Sequence, residues 1–156
     1  MERLDQMEKE GRLILNKLME EGYQAYFVGG YVRDKLVNRP VGDIDIATSA
    51  RPEDVMRIFK RNVPTGLQHG TVTVLSESFS FEVTTFRREA EYVQFRRPKD
   101  VTYVEELNED LQRRDFTINA MAMDITGRLL DPFGGLQDLR ERRLRCVGAA
   151  TDRFHE

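Results

Sequence analysis

The sequence predicts an α+β (α/β) domain: a mixed, mainly antiparallel sheet with helices on one side. Three observations carry that expectation. Helical and strand periodicities alternate as αβαβα through the first part of the chain. The later part reads mostly as short strands paired around turn residues. The chain has 156 residues, 40% hydrophobic and 33% charged, an ordinary globular composition with enough length to bury a core.

Leu4, Met7, Leu15 and Leu18 recur near helical spacing, so residues 4–21 read as an amphipathic helix stopped at Gly22. Residues 24–28 (QAYFV) form a β-rich run ending at Gly29-Gly30. Residues 31–37 give one or two helical turns, broken by Asn38-Arg39-Pro40. Residues 43–47 (DIDIA) read as a strand. Pro52 with Glu53 and Asp54 opens a helix whose apolar side is Val55, Met56 and Phe59. Residues 71–75 and 80–86 are strands around a Ser-Glu-Ser turn. Residues 87–100 are polar and aperiodic and read as a flexible loop, followed by a brief strand over 101–104 and a helix over 105–113. AMAMD and RLLD flank Ile125-Thr126-Gly127 as a hairpin. The turn from Asp131 to Gly135 leads to a charged helix and a short RLRCV run.

Composition excludes several classes. No apolar run reaches the roughly 18 residues that span a bilayer, so no membrane contact is expected. The N-terminus, MERLDQMEKEGRL, is charged and helical, unlike a signal peptide. The lone Cys146 forms no internal disulfide and fits a cytoplasmic location; Leu144 and Val147 beside it suggest an inert, packed thiol. Two histidines and one cysteine do not supply a typical structural zinc site. A net charge of −3 argues against nucleic-acid binding by bulk electrostatics. The basic residues do cluster late, at Arg87-Arg88, Arg96-Arg97-Lys99, Arg113-Arg114 and Arg140 to Arg145. Any polyanion contact is therefore local, and each cluster alone reads first as a solvated face.

The chemistry is concentrated in DIDIA. Residues i and i+2 of a strand face the same way, so Asp43 and Asp45 share one face while Ile44 and Ile46 enter the core. In SFEVTTF, Phe79, Phe81 and Val83 form an apolar face that leaves Glu82 opposite, beside Thr84. Should the two strands adjoin, three carboxylates converge, and such a group needs a divalent cation between its members. Oxygen ligands without His or Cys favour magnesium. A D-x-D pair also arises by chance on an exposed strand. The segment upstream favours the functional reading: Gly29-Gly30 ends a strand and opens a helix, leaving backbone N–H groups to face an anion, with Arg33 one turn on to reach a phosphate oxygen. Asp34 reads as a cap or a partner for an arginine, and His69 as a turn residue rather than a general base.

The pattern GGYVRDKLVNRPVGDIDIATSARPEDV resembles the catalytic head of class II tRNA nucleotidyltransferases, the CCA-adding enzymes, and of bacterial poly(A) polymerases, within the DNA polymerase beta-like superfamily. LQHGTVTV, FEVTTFRR, FRRPKDVTYV, LQRRDFTINAMAMD and DPFGGLQDLRERRLRCVG continue the likeness in the family's order, over nearly the whole chain. Among these families it looks most like the CCA-adding enzymes of Gram-positive bacteria.

The resemblance implies that Asp43 and Asp45 hold two magnesium ions and that Glu82 completes the site. It also implies that Gly29, Gly30 and Arg33 cradle the triphosphate or sugar. Arg114 would contact the nucleotide, with Arg113, Asp115 and Asn119 in support, while Phe116 and Ile118 read as core. The implied reaction is attack by a tRNA 3′-hydroxyl on the α-phosphorus of CTP or ATP, adding C, C and A and releasing pyrophosphate. Residues 86–98 resemble the family's mobile loop. The likeness divides the chain into a head over residues 1–145 and the start of a neck over 146–156. The family's base-selecting Asp and Arg set would lie just beyond, so the expected behaviour is metal and triphosphate binding with weak base discrimination and weak tRNA affinity. Poly(A) polymerases and CC- or A-adding enzymes share this head. A non-catalytic nucleotide-binding module and a small-molecule nucleotidyltransferase are the readings from other classes.

Overall fold

The computed structural model describes residues 2–89 and 101–147. Its first helix, α1 (Glu2–Glu20), ends where Gly22 adopts φ 94°, the left-handed region that glycine enters at little cost. The helix buries Met7, Ile14, Leu15 and Leu18 in the main core. Full burial of a leucine such as Leu15 stabilises by about 1.5–3 kcal/mol. Its polar residues are also used. Glu8 accepts hydrogen bonds from Tyr31 Oη and Lys35 Nζ. Glu10 accepts from Gln6 Nε2 at 2.8 Å, from Ser76 Oγ and from the Ser78 N–H at 3.0 Å. Burial of either carboxylate raises its proton affinity, but these donors outweigh that and hold both acids below the usual range.

The chain continues through β1 (Ala25–Val28), α2 (Gly30–Leu36), β2 (Asp45–Thr48) and α3 (Pro52–Ile58). Next come β3 (Asn62–Gly66), β4 (Thr71–Leu75) and β5 (Ser80–Thr85). A small pair follows, β6 (Arg87–Glu89) with β7 (Val101–Tyr103), then α4 (Leu107–Gln112), β8 (Ala122–Met123), β9 (Leu129–Leu130) and α5 (Gly135–Arg140). The main sheet runs β3-β4-β5-β2-β1-β8-β9. Among the described residues its one parallel pair is β2 with β5, and the other pairs are antiparallel. The α+β expectation therefore holds.

Alternation sets the two faces. Phe27, Ile46, Phe81, Val83 and Met123 point to the main core with α1 and with Val55 and Ile58 of α3. Val28, Ala47 and Ala122 point the other way, into a second cluster with Phe86, Val104 and Leu107 and Leu111 of α4. Helices α1 and α3 keep to one side as expected; the short α4 caps part of the opposite face, next to the carboxylates.

Some boundaries differ from the sequence reading. Asp43 and Ile44 precede β2 rather than joining its ladder, although Ile44 is buried and Asp43 exposed as alternation requires. Strand β3 was not expected, because NVPTG carries Pro64 and little apolar content; it is an edge strand, where a missing N–H is tolerated. Residues 87–89 pair with 101–103 instead of belonging to a loop. Residues 90–100, with Tyr92, Arg96, Arg97 and Lys99, lie outside the described residues, as do 148–156 of the expected neck segment. Phe116 and Ile118 are half-buried rather than core; the buried residue between them is Thr117, whose hydroxyl donates to Asp138 Oδ2 at 2.6 Å. Cys146 is buried as expected, but Leu144 is 64% exposed and does not pack it.

Candidate active site

The parallel contact between β2 and β5 builds the site. Asp45 is the Cα partner of Glu82 across it, on the face away from the main core, and both are exposed. On the other flank of β5, Thr73 is paired with Glu82 and its Oγ1 donates to Glu82 Oε1 at 2.9 Å. Asp43 stands two residues before Asp45, also exposed. The acids feel one another: Asp45 is pushed above the usual carboxylate range, first by desolvation, then by the charge of Glu82 and more weakly that of Asp43, while Arg114 pulls it down. Among the described residues no three His, Cys, Asp or Glu side chains are gathered closely enough to hold a metal ion between them. The donor set nonetheless fits a hard divalent cation: oxygen atoms only, on adjoining backbone positions, mutually repelling and open to water.

Gly29 lies beside both Asp45 and Arg114. At φ 77° and ψ −145° it has a conformation that side-chain-bearing residues rarely adopt. A Cβ there would sit 3.8 Å from both Arg114 Nη1 and Asp45 Oδ2. A glycine thus keeps the space beside a cation and an anion free of a side chain. The next residue, Gly30, starts α2, and a Cβ on it would come within 3.3 Å of Arg33 Nη2. Arg33 turns its guanidinium to Asn119, donating from Nη1 to Oδ1 at 2.7 Å, and to Asp34, from Nε at 3.0 Å. Asp34 is therefore an arginine partner. Asn119 ends the 3-10 turn Thr117–Asn119, which packs against α2.

Arg114 follows α4 and is ion-paired with Asp110, Nη2 to Oδ2 at 3.3 Å. Burial is the chief reason its proton affinity is lowered, with the neighbouring Arg113 charge next, opposed by Asp110 and Asp45. Asp115 does not join the group: it is exposed, and its carboxylate accepts from the Phe116 N–H at 2.8 Å. His69 ends a 3-10 turn, Leu67–His69, and its carbonyl accepts from Arg87 Nη1 at 3.0 Å, a turn role. Beside Arg33, a cavity of about 830 Å³ is lined by Arg33, Arg39, Arg142 and Arg143 with apolar Ile118 and Leu139, which locates part of the late basic clusters.

The structure thus places Asp45 beside Glu82, Gly29 and Arg114, with Asp43 two residues upstream of Asp45 and Gly30, Arg33 and Asn119 adjoining. Two contributors escaped the sequence reading. Thr73 was legible in principle, since pairing Leu75 with Ser80 around the turn sets Thr73 opposite Glu82. Asp110 looked like one charge on an exposed helix; its burial depends on long-range packing.

Comparison with known proteins places the chain by sequence and by fold. The family model described as "Poly A polymerase head domain" matches residues 25–145. A CCA-adding enzyme of Anoxybacillus flavithermus is 57% identical over 143 residues, 92% of this chain and 36% of that protein. The chain spans about that share of the other curated relatives it matches, such as that of Lactobacillus johnsonii. A crystal structure of the Bacillus stearothermophilus CCA-adding enzyme in complex with CTP superposes with a TM-score of 0.86 at 50% identity, covering 94% of this chain and 35% of that one. A tRNA nucleotidyltransferase complexed with a primer tRNA and an incoming ATP analog gives 0.66 at 33%, covering 86% and 39%.

Proposed function

The chain belongs to the poly A polymerase head-domain family, and from that premise we propose that it is the catalytic head of a template-independent nucleotidyltransferase that adds C, C and A to tRNA 3′ ends from CTP and ATP. The observation that carries this reading is the pairing of Asp45 with Glu82 on an open face, with Asp43 two residues upstream and Arg114 beside Gly29. Asp43, Asp45 and Glu82 would hold divalent cations, magnesium by the hardness of the donors. Such ions, when bound, lower the pKa of an attacking hydroxyl and stabilise charge on the transferring phosphoryl group.

The chain's own residues supply position and field. The backbone at Gly29 and Gly30 can come close to a triphosphate because no side chain intervenes. Arg33 and Arg114, fixed charges that cannot deprotonate, would bind its oxygens from two sides. Asn119 holds Arg33 in place, and Thr73 holds Glu82. No protein nucleophile is required. Asp115, turned outward, would act through the backbone of its segment rather than on the nucleotide.

The test uses the protein at the full length of its relatives, incubated with magnesium, tRNA lacking its 3′ end and each nucleoside triphosphate. Products ending in C-C-A support the proposal. A product ending in C-C, a single A or a long A tail assigns the related activity instead, and no incorporation overturns nucleotidyl transfer. The relatives' shared name favours C-C-A.

A further inference from the structure

Asp110 is 1% exposed and has two arginines on it. Its Oδ2 pairs with Arg114 at 3.3 Å, and its Oδ1 lies 3.5 Å from Arg113 Nε while accepting the Arg87 N–H at 2.9 Å. Arg114 meanwhile has its other terminal nitrogen beside Gly29, where a Cβ would lie 3.8 Å from it and 3.8 Å from Asp45 Oδ2 as well. Among the described residues, Arg114 is ion-paired with Asp110 and not with Asp45. Two carboxylates thus compete for one guanidinium, and the buried one holds it.

Resting on the reading of Asp45 as a cation ligand, we infer that Asp110 is a positioning residue that keeps Arg114 off Asp45 and so leaves that carboxylate open to a divalent ion. The driving force is burial: an ion pair away from water loses more on separation than one at the surface. Without the Asp110 charge, Asp45 becomes the anion nearest to Arg114. The guanidinium closes on it and competes with the metal for the same oxygens. Asp110→Asn isolates this role, because the amide oxygen still accepts the Arg87 N–H while the charge is gone.

The experiment is titration of Mn²⁺ onto the 156-residue chain, followed by electron paramagnetic resonance, with melting curves in parallel. Asp110→Asn is expected to weaken Mn²⁺ binding by about tenfold or more. Adding Arg114→Met to it restores the affinity to that of Arg114→Met alone, since Asp110 acts only through Arg114. That comparison also carries the test where Asp110→Asn alone does not fold. A purely structural role lowers the melting temperature in both backgrounds and leaves Mn²⁺ affinity of the folded protein unchanged. Equal affinity of wild type and Asp110→Asn overturns the inference, as does a double variant weaker than Arg114→Met. A wild-type chain that takes no Mn²⁺ overturns the cation reading itself, and this inference with it.

Discussion

Asp45 and Glu82 are direct partners across the parallel pair of β2 with β5, two carboxylates held on neighbouring backbones. Desolvation first and the charge of Glu82 second shift Asp45 upward, so keeping both acids ionised costs folding energy.

Asp45→Asn is therefore expected to stabilise the cation-free chain while abolishing its response to metal. Asp45 is exposed and screened by water, so the gain is under about 1 kcal/mol, or roughly 2 °C in melting temperature for a domain of this length. Added Mg²⁺ raises the melting temperature of wild type and not of the variant. Differential scanning calorimetry with EDTA and with Mg²⁺ reads both effects; a variant that melts lower in EDTA contradicts the repulsion argument.

The pH dependence has two limbs of opposite sign. Asp138 is held below its ordinary value of 3.8, chiefly by the Thr117 hydroxyl, against desolvation and with help from Arg145. Its contribution is present above that value and is lost as pH falls through the lower folded one. Asp138→Asn should cost about 1.5–3 kcal/mol at pH 7 and flatten the acid limb of a stability curve. Asp45, shifted upward, favours the folded state when protonated. That contribution fades as pH rises through its folded value, and cation affinity rises over the same interval. Urea melts from about pH 2 to 7 and Mn²⁺ titrations from about pH 4 to 7 separate the two.

In the function proposed above, Gly29, Gly30, Arg33 and Arg114 would meet only groups common to all nucleoside triphosphates. CTP, ATP, GTP and UTP should thus bind the 156-residue chain within about tenfold of one another, 1.4 kcal/mol. Arg114→Met should weaken all four by about 10–100-fold, the loss of a charge-assisted contact. Isothermal titration checks this; strong preference for CTP and ATP would show that the head itself selects bases.

Gly135 is a packing requirement rather than a turn device. A Cβ there would lie 2.1 Å from the Thr117 carbonyl oxygen and 2.8 Å from its carbon, backbone atoms that cannot rotate aside. Gly135→Ala should cost about 3 kcal/mol or more and displace the turn carrying Asn119. Gly42→Ala meets nothing within 4 Å and is the control, neutral or stabilising by about 0.5 kcal/mol. Paired thermal melts decide whether this close approach is real.

The local pattern was sufficient for the strands and helices with strong periodicity, and for the faces of Asp43, Asp45 and Glu82, because side-chain parity along a strand is fixed by backbone geometry. It failed at β3, whose stability comes from pairing with β4 rather than from its own residues, and at Phe116 and Ile118, apolar residues left half-covered by their neighbours. Alternation could place each acid on a face but could not say which strands adjoin. The crossover that sets β2 beside β5 decided that, bringing Asp45 opposite Glu82 through contacts distant in the chain. Folding likewise chose which carboxylate Arg114 pairs with, since Asp110 gains its hold from burial, and burial belongs to the assembled packing rather than to any stretch of residues.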